Sequence, residues 1–274
     1  MTTTNIAPPT EAGGGARVTT VVVAFLVLSA AASPLLTLAQ GATGLDPTIL
    51  VLTQFSTAFG ALVVYAIWRG RLPYPPTTKR GVPAPLCAAV GLSLAVTLVL
   101  WLLAIVEPHR WQSLDTSALP APLALILLAQ FLGAAGEEVG WRGLVQPLLE
   151  TRMPALPAAV ITGLFFGLGH FYVAGVGIAV YSVFVVSAIA QSIAAAALTT
   201  GRSYWVRILV ATVLHWGINI GILVGFSNAD ESMLWMTNTA IAMGLVGAAC
   251  VPLVIRSKHR ASNDSPAPCA AVGA

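Results

Sequence analysis

Six polar residues stand where the surrounding sequence is otherwise apolar. Glu137, Glu138 and Arg142 lie in Gly136-Glu137-Glu138-Val139-Gly140-Trp141-Arg142-Gly143, His170 closes Phe166-Gly167-Leu168-Gly169-His170, and His215 and Asn219 frame His215-Trp216-Gly217-Ile218-Asn219. An ionisable side chain at membrane depth costs several kcal/mol unless it faces a polar interior. Adjacent carboxylates on a helix project about 100° apart, so Glu137 and Glu138 have different partners. Glu138 and Arg142 are four apart and can pair. Glu137 is left without a local cation and is the candidate general base. His215 and Asn219 share one helix face and can both present N–H donors, which suits an oxyanion better than a cation. The plainer alternative for each residue is structural: a polar network around Arg142, a packed histidine at 170, and hydrogen bonds between helices at 215 and 219.

Depth links the three groups. Measured from the expected cytoplasmic ends of their segments at 1.5 Å per residue, Glu137 and His170 lie about 20 Å in, His215 about 15 Å and Asn219 about 21 Å. Groups on three helices falling in one layer form the pattern of a site inside a bundle. The chemistry that fits is hydrolysis of a peptide bond: Glu137 and His170 hold and deprotonate a water, His215 and Asn219 stabilise the oxyanion, and the proton passes to the leaving amine. Ser182, Ser187 and Ser192 lack a neighbouring base and read as packing serines.

These groups need long apolar helices to carry them. The chain has 274 residues, 57% hydrophobic and 8% charged. Soluble domains carry about 25% charged residues, so this composition excludes an ordinary soluble enzyme, a disordered chain and a nucleic-acid-binding domain. The expected fold is all-α: a polytopic membrane helix bundle of about eight transmembrane helices, near 18–38, 48–68, 84–106, 122–148, 157–173, 176–198, 205–226 and 233–255. The bundle is expected over 18–256, with disordered cytoplasmic tails at 1–17 and 257–274. Ala30-Ala31-Ala32 resembles a cleavage site, but the apolar run continues past it, and a retained first helix is expected.

Eleven of the thirteen Lys and Arg fall on one side of this topology. The positive-inside rule then puts both termini in the cytoplasm, and the membrane is the cell membrane in a prokaryote. Arg207, at a segment end, is expected to reach the interface, as are Glu107 and Asp230. Cys87, Cys250 and Cys269 have no metal-site spacing and read as free thiols. The chain lacks a terminal prenylation box.

Glu137-Glu138-x-x-x-Arg142, Phe166-x-x-x-His170 and His215-x-x-x-Asn219 resemble the motifs of the type II CAAX prenyl endopeptidases and the related bacterial CPBP (Abi) intramembrane proteases, over about residues 80–256. The resemblance implies that Glu137 and His170 are the water-activating pair. His215 and Asn219 match the oxyanion pair, and Glu138 and Arg142 match supporting positions. It further implies an eight-helix core and a peptide or protein substrate, lipidated or membrane-embedded. A zinc ion is the family's disputed cofactor. Glu137, His170 and His215 would be its ligands, and a metal-free mechanism is preferred because two histidines, one glutamate and an asparagine make an unpersuasive zinc site. The competing functions are a non-enzymatic immunity or scaffolding protein of the same family and a proton-coupled transporter. The transporter should show repeated halves, which the sequence lacks.

Overall fold

A computed structural model describes residues 12–68, 70–77, 81–106, 111–229 and 232–263. Most of the expected tails, and several charges used for the topology (Arg69, Lys79, Arg80, Glu107, Arg110, Asp230 and Glu231), lie outside these residues, as does Cys269. The described residues are helical without strands. In chain order they form α1 (Ala12–Thr43), a 3-10 turn (Leu52–Phe55), α2 (Ser56–Trp68), α3 (Pro83–Val106), α4 (Leu123–Gly140), a π turn (Trp141–Val145), α5 (Gln146–Glu150), α6 (Ala155–Gly169), α7 (Ile178–Thr199), α8 (Tyr204–Gly225) and α9 (Met233–Asn263).

Six of these stretches are long and apolar enough to cross a bilayer. The other two expected spans are short, at Leu52–Trp68 and Ala155–Gly169. The 15 residues of α6 reach only about 22 Å, less than the roughly 30 Å hydrocarbon core. The chain is a multi-pass integral membrane protein in which two of the eight apolar helices stop short. The expected fifth span ran to residue 173. Instead α6 ends at Gly169 because its last carbonyls are taken elsewhere: His170 N–H donates to Gly167 O at 3.1 Å, and the Tyr181 hydroxyl donates to Leu168 O at 2.7 Å.

Within lipid the hydrophobic effect does not hold helices together, so close packing must. Small residues supply it. A Cβ on Gly140 would stand 2.7 Å from Thr57 Cβ, which lets α4 press against α2. A Cβ on Gly163 would stand 2.6 Å from Ile189 Cα, and one on Gly217 would stand 2.5 Å from Ser93 Oγ. Glycine at these points seats α6 on α7 and α8 on α3. Thus α4 runs between α2 and α8, and α7 bridges α6 and α9. One apolar cluster fills the space among α3, α7, α8 and α9. A second joins α1, α2, the π turn and α6 through Phe25, Trp141, Leu144 and Phe166.

Candidate active site

The fourth span changes its winding directly after the two glutamates. Trp141 N–H still reaches Glu137 O and Glu138 O, but Gln146 N–H reaches back five residues to Trp141 O. Pro147 supplies the reason, since it has no N–H for the Gly143 carbonyl four residues earlier. The Tyr65 hydroxyl donates to that carbonyl instead, at 2.9 Å. On the other side of the motif, Thr57 Oγ1 donates to Gly136 O at 3.1 Å and lies 3.4 Å from Glu137 O. Two α2 side chains therefore hold the backbone that carries Glu137, Glu138 and Arg142. π turns inside helices concentrate at functional sites.

Glu138 and Arg142 pair as their spacing requires. Arg142 Nη1 donates to Glu138 Oε1 at 3.0 Å and lies 3.0 Å from Oε2, with both side chains fully buried. His215 Nδ1 donates to Glu138 Oε1 at 3.0 Å from α8, while its Nε2 lies 3.9 Å from Glu137 Oε2. The imidazole thus touches both glutamates. Phe166 is the apolar hub of the group. Its ring meets His170 edge-on at 4.8 Å, His215 at 5.8 Å and Trp141 at 5.9 Å, and Arg142 Cζ sits 5.7 Å from its centroid.

His170 is not inside a span but at its end, where it joins α6 to a 3-10 turn (Phe171–Gly175). Its Nδ1–H donates to Phe166 O at 2.9 Å, since a carbonyl can only accept. That leaves Nε2 as a lone-pair acceptor. Of the two glycines beside it, Gly167 packs on Val185 of α7, while Gly169 faces open space. Glu137, Trp141, Phe166 and His170 line one cavity of about 780 Å³, which continues to α1 and the 3-10 turn before α2.

Asn219 is placed differently. It lines a second cavity of about 300 Å³ with Gln130, Thr48 and Ser227, one helical turn along α8 from His215. Glu137, Glu138, Arg142 and His215 thus meet by direct approach, His170 joins Glu137 across the larger cavity, and Asn219 faces the smaller one.

Arg207 corrects an expectation. It does not reach the interface: it is 2% exposed, with Nη2 2.5 Å from Glu150 Oε2. Glu150 also accepts from Gln146 and Thr200. Burial between α5 and α8 makes this pair, not solvent, the partner of each charge. The serines of α7 are all tied to carbonyls: Ser182 to Ile178, Ser187 to Phe184 and Ser192 to Ala159. Cys87 and Cys250 are free thiols. The supporting roles of Thr57 and Tyr65 had no expectation. The available signal was Pro147 in the fourth span and isolated hydroxyls in the second.

The same donors can be tested against zinc. Among the described residues no three of His, Cys, Asp and Glu come together as a metal site requires. His215 Nε2 lies 3.9 Å from Glu137 Oε2, and among the described residues no group of three His, Cys, Asp or Glu is arranged around one point to hold an ion. The donor set does not fit a tetrahedral site, and no chemical step is assigned to a metal.

Residues 119–221 match the family model described as Rce1-like, type II CAAX prenyl endopeptidase. That interval contains all six polar residues of the three motifs. Two curated relatives, each named lysostaphin resistance protein A and from two strains of Staphylococcus epidermidis, are 23% identical over 241 residues. The alignment takes in 84% of this chain and 62% of each relative, so the chain spans under two thirds of their length. The match covers residues 119–221, under half of the chain, and agrees with the resemblance to the type II CAAX prenyl endopeptidases drawn from the three motifs.

Proposed function

We propose that the protein is an intramembrane endopeptidase that hydrolyses a peptide bond with activated water. The observation that carries this is the shared cavity: the Glu137 carboxylate and the open Nε2 of His170 line the same space, behind which His215 links Glu137 to the Glu138–Arg142 pair. A water held by Glu137 and His170 Nε2 attacks the scissile carbonyl as its proton moves to Glu137. The C–O bond forms and the carbonyl electrons move onto oxygen. His215, with a proton on Nε2, donates to that oxyanion while Nδ1–H stays on Glu138. Collapse breaks the C–N bond, and the proton held at Glu137 goes to the leaving amine. Asn219 is the proposed second donor, acting from the neighbouring cavity. The substrate is a peptide or protein segment in or at the bilayer, and the cytoplasmic placement of both termini belongs to the same reading.

The test is cleavage of internally quenched peptides by detergent-purified protein, wild type beside Glu137→Gln. The panel contains farnesylated C-terminal peptides and unmodified apolar ones. Loss of cleavage in folded Glu137→Gln supports the reading, and retained cleavage in both Glu137→Gln and His170→Ala ends it. A second reading, a membrane protein that acts without hydrolysis, is favoured by the relatives' name as resistance proteins. It requires that Glu137→Gln preserve whatever protection the wild type gives cells.

A further inference from the structure

Three arginines stand unpaired at one end of the bundle. Arg17 opens the first span, Arg71 follows α2, and Arg152 follows α5. All three are exposed, and none forms an ion pair with a carboxylate among the described residues.

The topology gathers them. A short connection joins α1 to α2 and the two pack side by side, so the start of α1 and the end of α2 share one end of the bundle. After α3 leads away, α4 returns along α2 and continues through the π turn into α5, which also meets α1. The residues beside the three arginines belong to one packed cluster: Val18 and Leu149 are buried in it, and Leu72 and Met153 pack against it. Tight turns keep Arg71 and Arg152 at the helix ends. Arg71 N–H donates to Trp68 O at 2.9 Å, with Gly70 at φ 71° before it, and Arg152 N–H donates to Leu149 O at 2.8 Å.

Two neighbouring arginines differ, because the protein already satisfies them. Arg207 is buried on Glu150, and Arg202 donates to Leu198 O and Gly81 O. Arg17, Arg71 and Arg152 instead present positive charge where the apolar spans stop. Trp68, half-buried at the end of α2, and Trp205, 74% exposed at the start of α8, mark that level, since tryptophan collects at the headgroup zone.

Packed helices stand about 8–10 Å apart, so guanidiniums on three neighbouring helix ends can converge on one anion while their stems lie along apolar surface. A phosphodiester accepts paired N–H bonds from a guanidinium, and it is the anion that a bilayer supplies at this depth. A zwitterionic headgroup brings its own cation to the phosphate and gains little from three arginines. A headgroup of net negative charge gains from each of them.

We infer that Arg17, Arg71 and Arg152 form a binding site for the headgroup of an anionic phospholipid. The bound lipid fastens the start of α1 to the end of the span that carries Glu137, Glu138 and Arg142. This site does not depend on the endopeptidase reading.

The full chain in dodecyl maltoside is offered equal amounts of phosphatidylglycerol and phosphatidylcholine with the same acyl chains, and retained lipid is counted by native mass spectrometry. Each basic residue at an anionic lipid surface contributes about fivefold in affinity. Wild type should therefore prefer phosphatidylglycerol by about tenfold or more. Arg152→Gln should lower that preference about fivefold, and replacing Arg17, Arg71 and Arg152 together by Gln should remove it. Arg256→Gln takes an exposed arginine from the end of the last span, outside the cluster, and should change nothing. Phosphatidylglycerol should also raise the melting temperature of wild type, and inorganic phosphate at the same concentration should not. Equal retention of the two lipids by wild type overturns the inference. So does an equal fall in folded Arg152→Gln and Arg256→Gln, which would mean diffuse attraction to a basic face. A melting shift that phosphate alone reproduces also overturns it, as a site for free anions. Lipid retention is read without cleavage, so its failure leaves the endopeptidase reading standing, and absence of cleavage leaves the lipid site standing.

Discussion

His215 Nδ1 lies 3.0 Å from Glu138 Oε1, and that contact decides which edge of the imidazole faces Glu137. Nδ1–H is spent on Glu138, so only Nε2 can serve the reaction, and it lies 3.9 Å from Glu137 Oε2. In the proposed mechanism Glu138 is then a positioning residue, acting through His215 as well as through Arg142. Glu138→Ala should destabilise the protein by about 3–5 kcal/mol, because Arg142 is left buried without its partner. The double replacement Glu138→Leu with Arg142→Leu should recover much of that stability in a thermal melt, yet not the activity, since His215 has lost its orienting partner. Recovery of both would remove the positioning role.

Tyr65 makes a separable contribution. Its hydroxyl replaces the N–H that Pro147 cannot give to Gly143 O, and Tyr74 in turn donates to the Tyr65 hydroxyl at 2.5 Å. Tyr65→Phe leaves a buried carbonyl without this donor and should cost about 1–3 kcal/mol. It should also lower kcat more than it raises KM, because the π turn sets Arg142 and, through it, Glu138. Restoring an N–H at 147 with Pro147→Ala in the Tyr65→Phe background should return part of the lost stability. No rescue would mean that the proline does not cause the unwinding.

Burial pushes the Tyr74 phenol up to about 12, from an ordinary 10.0. A raised folded value means that the protonated phenol is the form folding favours. Its contribution is complete below pH 10 and is lost as pH rises through about 12. The Tyr74–Tyr65 contact is therefore constant across the neutral range. Tyr74→Phe should shift the height of a rate profile between pH 6 and 9 without changing its shape, whereas a change of shape would place Tyr74 in the proton chemistry.

Much of this arrangement was legible from residue types and spacing. The i, i+4 rule joined Glu138 to Arg142, and charge scarcity gave the bundle. Spacing failed where tertiary contacts override it. His215 and Asn219 share a helix face, yet Trp216 between them donates to Leu127 O at 2.9 Å and locks α8 against α4, with Asn219 at the second cavity. Hydropathy could not distinguish a full span from α6, because His170 N–H on Gly167 O and the Tyr181 hydroxyl on Leu168 O close the helix while the apolar residues continue. Arg207 looked like an interfacial residue because its partner, Glu150, is 57 residues away in sequence.

The split between His215 and Asn219 gives an unequal pair of mutants. Removal of one oxyanion donor costs about 10²–10³ in kcat. His215→Ala should show that full loss, as it also breaks the contact with Glu138. Asn219→Ala should lose less, about tenfold, because its amide acts from the neighbouring cavity. Equal losses in folded variants, read as kcat with KM unchanged, would show that substrate binding draws Asn219 into the same site as His215.

The donor geometry makes a last prediction about metal. Zinc needs three or four ligand atoms around one point at about 2.0–2.3 Å. Glu137 and His215 Nε2 offer two, and among the described residues no group of three His, Cys, Asp or Glu is arranged to hold a metal ion. Dialysis against a strong chelator should leave both the melt and the peptide cleavage rate unchanged. Loss of cleavage that returns on adding zinc alone would mean that Glu137, His170 and His215 close around the ion. In that case Glu137→Gln should weaken zinc binding in calorimetry, a result that a general base without metal cannot produce.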